Sequence, residues 1–233
     1  MIDFDRLKAM VKPLEEGKAY YRPFVCSGDL SKADIFLVGI NPATPIYPED
    51  IDIDSYVDLL LDYNKFMDFY RKKRLDSSKS EISRTRLGMN SFISWLNHYT
   101  RSTILETDVI PYPTPSLKEL KRESESIKEQ GKDIFVNLIQ ELKPGLIILH
   151  GKRAVEYANE TFIKYKMNLL RPINLNISIE QMESEPILTE INYGNKKGII
   201  MACRHFMYYG NNGETFSMFK DHVLNALENN KLK

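Results

Sequence analysis

The chain has 233 residues, 42% hydrophobic and 27% charged, a balance that excludes a disordered polymer and fits one large α/β domain with a substantial core. No apolar run approaches the roughly 18 residues a membrane span needs, and the N-terminal stretch MIDFDRLKAMVKPLEEGK lacks a signal peptide's apolar centre. The 32 basic and 32 acidic residues cancel, and the two cysteines, Cys26 and Cys203, lie far apart and outside any CxxC spacing; bulk coating of nucleic acid, a disulfide framework and a zinc or iron–sulfur site are therefore not expected. The expectation is a single domain over residues 1–233, cytoplasmic and monomeric, with no membrane partner, metal or cofactor.

In chain order, DIFLVGI (34–40) has the β-branched content and glycine stop of a buried strand, and similar runs follow at 103–112, 145–151 and 198–205. Helical spacing fills the intervals at 55–74, 86–99, 131–143 and 152–166, and again in ETFSMFKDHVLNALENN near the end. Strands alternating with helices predict a three-layer α/β/α fold around a mostly parallel sheet of about four strands. Segment 168–197, rich in Asn, Glu, Ile and Pro, reads as a loop or an extra strand pair. Charge is uneven: 49–62 is acidic, whereas RKKRLDSSKSEISRTR (71–86) carries seven Lys/Arg among serines and threonines. That segment is either a solvated loop between helices or a grip on a phosphate backbone through Arg71, Lys72, Lys73, Arg74, Arg84 and Arg86.

Each predicted strand ends in punctuation: Asn41-Pro42-Ala43-Thr44-Pro45, then Pro111-Tyr112-Pro113-Thr114-Pro115, then His150-Gly151, then Arg204-His205-Phe206. In a parallel sheet these endings share one edge, where such folds hold ligands, so Asn41, His150 and His205 are expected to be neighbours. Taken singly, Asn-Pro is a turn initiator and a strand-terminal histidine is an ordinary hydrogen-bonding residue; it is their coincidence at several strand ends that points to a site. No GxSxG, Walker loop, GxGxxG, HExxH or EF-hand loop is present.

VGINPAT (38–44) resembles the first motif of the uracil-DNA glycosylase superfamily, in the GxNP form of its mismatch-specific and single-strand-selective branches. ETDVIPYPTPS is similar to the family's middle strand and proline loop, LKPGLIILHGKRAVEYA to its late strand, glycine and helix, and MACRHFMYYGNNG to its last motif. The likeness runs in order over about residues 30–225. It departs from the family at Ala43, where a second Gly is usual, at Phe206-Met207-Tyr208, where Pro-Ser is usual, and in having two cysteines, too few for the iron–sulfur branches.

What the resemblance implies is a DNA glycosylase that hydrolyses the N-glycosidic bond of a flipped-out uracil-like, deaminated or modified base. Asn41 would place the water, and His205, as a neutral imidazole, would donate to the base as charge builds on it. Gly39, Ile40 and Pro42 would form the base pocket, although Pro42 has no N–H to offer. Tyr47 would stack on the base, with Phe66 and Phe69 as further candidates that equally suit core packing. Arg204 would bind phosphate, and Met207 or Tyr208 would fill the gap left in the duplex. Asp108 falls where uracil-reading relatives carry Asn; as an acceptor-only carboxylate it would favour an amino-bearing base. Two other readings stay open: a nucleoside or nucleotide hydrolase using the same pocket, and a non-catalytic nucleic-acid-binding α/β protein working through 71–86.

Overall fold

Alternating side chains along the central strands divide the core in two. In the computed structural model, which describes residues 3–26, 28–210 and 212–229, strand β1 is Val25–Cys26, β2 Ala33–Gly39, β3 Thr103–Asp108, β4 Leu146–His150, β5 Thr189–Asn192 and β6 Lys197–Cys203. Phe36 and Val38 of β2, with Ile147 and Leu149 of β4, belong to one apolar cluster; Ile35, Leu37, Leu146 and Ile148 belong to the other. Both faces being covered explains why these strands read as unbroken apolar runs rather than as alternation.

The sheet order is β1-β3-β2-β4-β6-β5. The inner pairs β3/β2, β2/β4 and β4/β6 are parallel, and the edge pairs β1/β3 and β5/β6 are antiparallel. The protein is thus α/β with a mixed sheet of six strands, not a mostly parallel one of about four. The first edge escaped the sequence reading because it is two residues long, too short for any periodicity; the other lies in segment 168–197, read as a loop or an extra strand pair, where it pairs back on β6 through a tight turn at 193–196.

Helix α1 covers Phe4–Val11, α2 Ile53–Leu61, α3 Tyr63–Asp76, α4 Arg84–Leu96, α5 Leu117–Leu120, α6 Glu125–Leu142, α7 Lys152–Lys164, α8 Ile179–Ser184 and α9 Ser217–Asn229. The single helix expected over 55–74 is two. Asp62 is the C-cap of α2 and the N-cap of α3, and its carboxylate accepts from the N–H groups of Asn64 and Lys65, so one side chain ends one helix and starts the next. Helix α6 begins earlier than its apolar spacing suggests, at the Ser124 cap, whose hydroxyl accepts from Ile127 N–H. Residues from α2, α3, α6 and α7 fill one face of the sheet, and residues from α4 and α9 the other. Among the described residues no helix is long and apolar enough to cross a membrane.

One helix is fitted to the loop after β6 by a missing side chain. A Cβ at Gly88, in α4, would collide with the carbonyl oxygen of Phe206 and press on Tyr209, so glycine sits inside a helix despite costing about 1 kcal/mol of propensity there. Gly88→Ala is expected to lose stability, because overpacking of about 1–3 kcal/mol exceeds the propensity gained. Calorimetry should show Tm falling by several degrees, at roughly 2–4 °C per kcal/mol for a chain of this size.

Candidate active site

The parallel ladder sets three side chains in one row. Gly39 is in register with Asp108, His150 is in register with Cys203, and Val38 pairs with Leu149, which brings Gly39 level with His150. A Cβ on Gly39 would strike Asp108 Oδ1 and come within 3.0 Å of His150 Nε2. Glycine here is the clearance that lets an acid and an imidazole converge over the end of β2.

Beyond the strands the backbone pairing continues. The N–H groups of Val109, Ile110 and Thr114 donate to the carbonyls of Gly39, Ile40 and Pro42 at 3.0, 2.9 and 3.0 Å. The two proline-bearing loops are therefore zipped together, and the carbonyls of Gly39, Ile40 and Pro42 are occupied. Asn41 Nδ2 donates to Thr114 Oγ1 at 2.9 Å and to Pro42 O at 3.2 Å. Because Thr114 Oγ1 spends its own proton on Ser116 O at 2.9 Å, it must accept from Asn41. The amide orientation is thereby fixed, and Oδ1 remains as the acceptor Asn41 can offer.

These residues open on a crevice of about 280 Å³ whose wall includes Asn41, Asp108, His150 and His205, close to the smallest ligand pockets at ~300 Å³. Rings of His150 and His205 meet edge to face at 5.1 Å. Burial lowers the pKa of both, and for His150 the neighbouring His205 and Arg86 lower it further, so both imidazoles are neutral at pH 7. The Met207 N–H donates to His205 Nδ1 at 3.3 Å, which leaves the ring proton on Nε2. His150 Nδ1 is buried without a partner.

Asp108 behaves differently from the ionised carboxylate that its position suggests. Burial pushes its pKa up to about 8, Glu106 adds to the rise, and Arg22 and Arg86 oppose it. At neutral pH the carboxyl is mostly protonated, with one O–H donor and one C=O acceptor. The expectation that it would favour an amino-bearing base assumes the ionised form; the neutral form offers a donor as well.

Of the other residues singled out in the sequence, Ile40, Pro42, Arg74 and Arg86 line the crevice. Tyr47 does not; it is exposed beside Lys73, with its N–H bonded to Asp50. Phe66 is fully buried in the core and Phe69 packs against it. The aromatic on the wall is Tyr70 of α3, flanked by the guanidinium groups of Arg74 and Arg86 at 5.6 and 5.9 Å from its ring. Its helical spacing marked the core face and concealed this role. Arg86 is no surface cation: its guanidinium is enclosed and paired with Glu106. Arg204 makes a two-pronged pair with Glu183 and bonds Thr215 O, so its charge is compensated. Arg71 pairs with Asp68 and Glu81, and Lys73 with Asp50, while Lys72 and Arg84 are exposed without an ion-pair partner among the described residues. Met207 and Tyr208, 40% and 60% exposed, follow His205 in a short 3-10 turn. Among the described residues no group of three or more His, Cys, Asp and Glu is placed to hold a metal.

No protein-family model matches the chain, and no curated protein matches it.

The sign of the Asp108 effect on stability follows from its raised pKa. Between about pH 4, where an unfolded Asp ionises, and about pH 8, the folded chain must hold a proton that the unfolded chain releases. Stability from this neutral carboxyl is complete below pH ~4 and is lost as pH rises to about 8. Asp108→Asn should flatten that decline: the gain in Tm over wild type is expected to widen from pH ~4 to ~8 and to stop widening above, which a differential scanning series across pH checks.

Proposed function

We propose that the protein is a monofunctional DNA glycosylase, hydrolysing the N-glycosidic bond of an everted uracil-like, deaminated or modified base to leave an abasic site. The observation that carries this reading is the meeting of Asn41, Asp108 and His205 on one crevice at the C-terminal ends of parallel strands. The helices on both faces of the sheet and the order of the four motifs support the glycosylase-like three-layer arrangement.

The chemistry follows from donors and acceptors. Asn41 Oδ1, held by the Thr114 network, accepts from a water and aims its lone pair at the anomeric carbon. The glycosidic C–N bond breaks with its electrons going to the base, and the water oxygen bonds to the sugar. An amide cannot accept the water's proton, so that proton passes to solvent or to the departing base. Orientation and electrostatics are then the main sources of rate. His205, neutral with its proton on Nε2, donates to the base oxygen as it gains charge. Protonated Asp108 offers a donor and an acceptor side by side, the same pair an asparagine amide offers, and this suits a lactam edge such as that of uracil or hypoxanthine. A stacked duplex denies access to this crevice, so the base must be turned out. Tyr70 is the aromatic available to it, and Met207 or Tyr208, both exposed, would occupy the vacated stack. Lys72, Arg84 and Arg74, the last hydrogen-bonded only to Ser80, are cations of segment 71–86 without an ion-pair partner among the described residues and are available to phosphate.

The test is a panel of oligonucleotides bearing uracil, hypoxanthine, xanthine and modified cytosines, followed by alkali and strand sizing. Shortened strands are expected for at least one base. Asn41→Ala and His205→Ala should each slow cleavage by about 10²–10³, and oligonucleotide binding should weaken with rising salt. Intact strands throughout, with release of base from free nucleosides, would transfer the reading to a small-molecule hydrolase. If neither substrate is cleaved and oligonucleotide binding survives both alanine changes, the protein is a binder.

A further inference from the structure

Arg22 is a cation in the wrong place for a structural residue. It lies in the apolar stretch AYYRPFVC, is only 7% exposed, and lines the same crevice as Asn41 and His205. A guanidinium keeps its charge wherever it is buried, and a buried charge needs compensation. What the protein supplies is slight. One nitrogen, Nη2, donates to the carbonyl of Thr44 at 2.5 Å, the ring of Phe66 covers the guanidinium at 5.0 Å, the buried Tyr56 hydroxyl lies beside it, and Nε is buried without a partner. No carboxylate forms an ion pair with it among the described residues. Of the two acids on the crevice wall, Glu106 pairs with Arg86 through Oε2 and keeps Oε1 without a partner, and Asp108, raised to about pKa 8, is mostly uncharged at neutral pH.

We propose that Arg22 is the anion-holding residue of the crevice, and that the anion is a flat, singly charged nucleobase ring at the moment it leaves the sugar. The nature of the anion as a base rests on the glycosylase reading above; the anion site itself does not. A ring suits the guanidinium, a planar fork whose adjacent N–H groups match a planar N–C–O edge, and the departing base carries its charge on such an edge. Arg74, Ser83 and Thr85 share the wall, so phosphate is the rival anion. Arg22 and His205 would then divide the work, the imidazole donating one hydrogen bond and the guanidinium supplying the full charge that a neutral imidazole lacks.

Calorimetric titration of the whole protein at about pH 6.5, where Asp108 stays protonated, tests this with three probes: barbiturate, an anionic pyrimidine ring; uracil, a neutral ring of the same outline; and inorganic phosphate. Barbiturate is expected to bind wild type about tenfold or more tightly than uracil, the order of one charge-assisted contact. Arg22→Gln should erase that difference, and Arg22→Lys, which keeps the charge and loses the fork, should retain part of it. Equal affinity of wild type for barbiturate and uracil overturns the proposal whether or not the variants fold. So does phosphate displacing barbiturate at equal or lower concentration, which would assign Arg22 to a phosphate. The outcome is separable from that of the oligonucleotide assay. Arg22-dependent barbiturate binding with no abasic sites on any strand keeps the anion site and rejects the glycosylase; abasic sites with no preference for barbiturate do the reverse.

Discussion

The crevice depends on a backbone ladder that does not stop where its strands do. β2 and β3 pair in parallel up to Gly39 and Asp108, and the hydrogen bonds then continue through Val109, Ile110 and Thr114 into the carbonyls of the Asn41 loop. Parallel strands ordinarily end in independent loops; here two of them are joined, and the join fixes Asn41 through Thr114. Proline suits such a seam, because alternate residues face away from the partner loop and need no N–H there. Position 41 thus inherits the rigidity of the sheet although it belongs to a loop, which is what orienting a water requires.

Electrostatics in the crevice follow from enclosure more than from the chain's charge balance. The protein is neutral overall, yet the wall carries an Arg86–Glu106 pair, an Arg22 without a carboxylate partner among the described residues, two neutral histidines and an acid that burial keeps mostly protonated at neutral pH. Asp108 and the two histidines depart from their solution behaviour in the direction desolvation dictates for their charge. The result is a compartment with surplus positive charge and donors, suited to chemistry in which negative charge appears.

Much of the frame was legible from residues alone. The inner strands β2, β4 and β6 are largely apolar runs because both faces are covered, and Asn41, His150 and His205 were brought together by the rule that parallel strands place their ends on one edge. What escaped has specific causes. The edge strand Val25–Cys26 is too short to show a period, and Asp62 splits a helix by capping both halves, which apolar spacing cannot register. Tyr70 and Arg22 were hidden because their roles depend on burial. A tyrosine at helical spacing looks like core, and an arginine in an apolar stretch gives a signal only when its lack of a counter-ion is known. Asp108 lies on the crevice wall, and its raised pKa was not legible, since sequence reports the residue and not its dielectric surroundings.

The sheet's margins have a consequence for how copies of the chain meet. At one side the outermost strand offers two residues; at the other, β5 is overlaid by 168–170, which bridges Leu169 to Ile191 and donates the Leu170 N–H to Glu190 O. Neither margin presents a long free row of donors and acceptors, so a neighbouring molecule finds little template on which to extend the sheet. Concentrated solutions of this protein should resist the edge-to-edge stacking that leads other α/β domains toward fibrous aggregates.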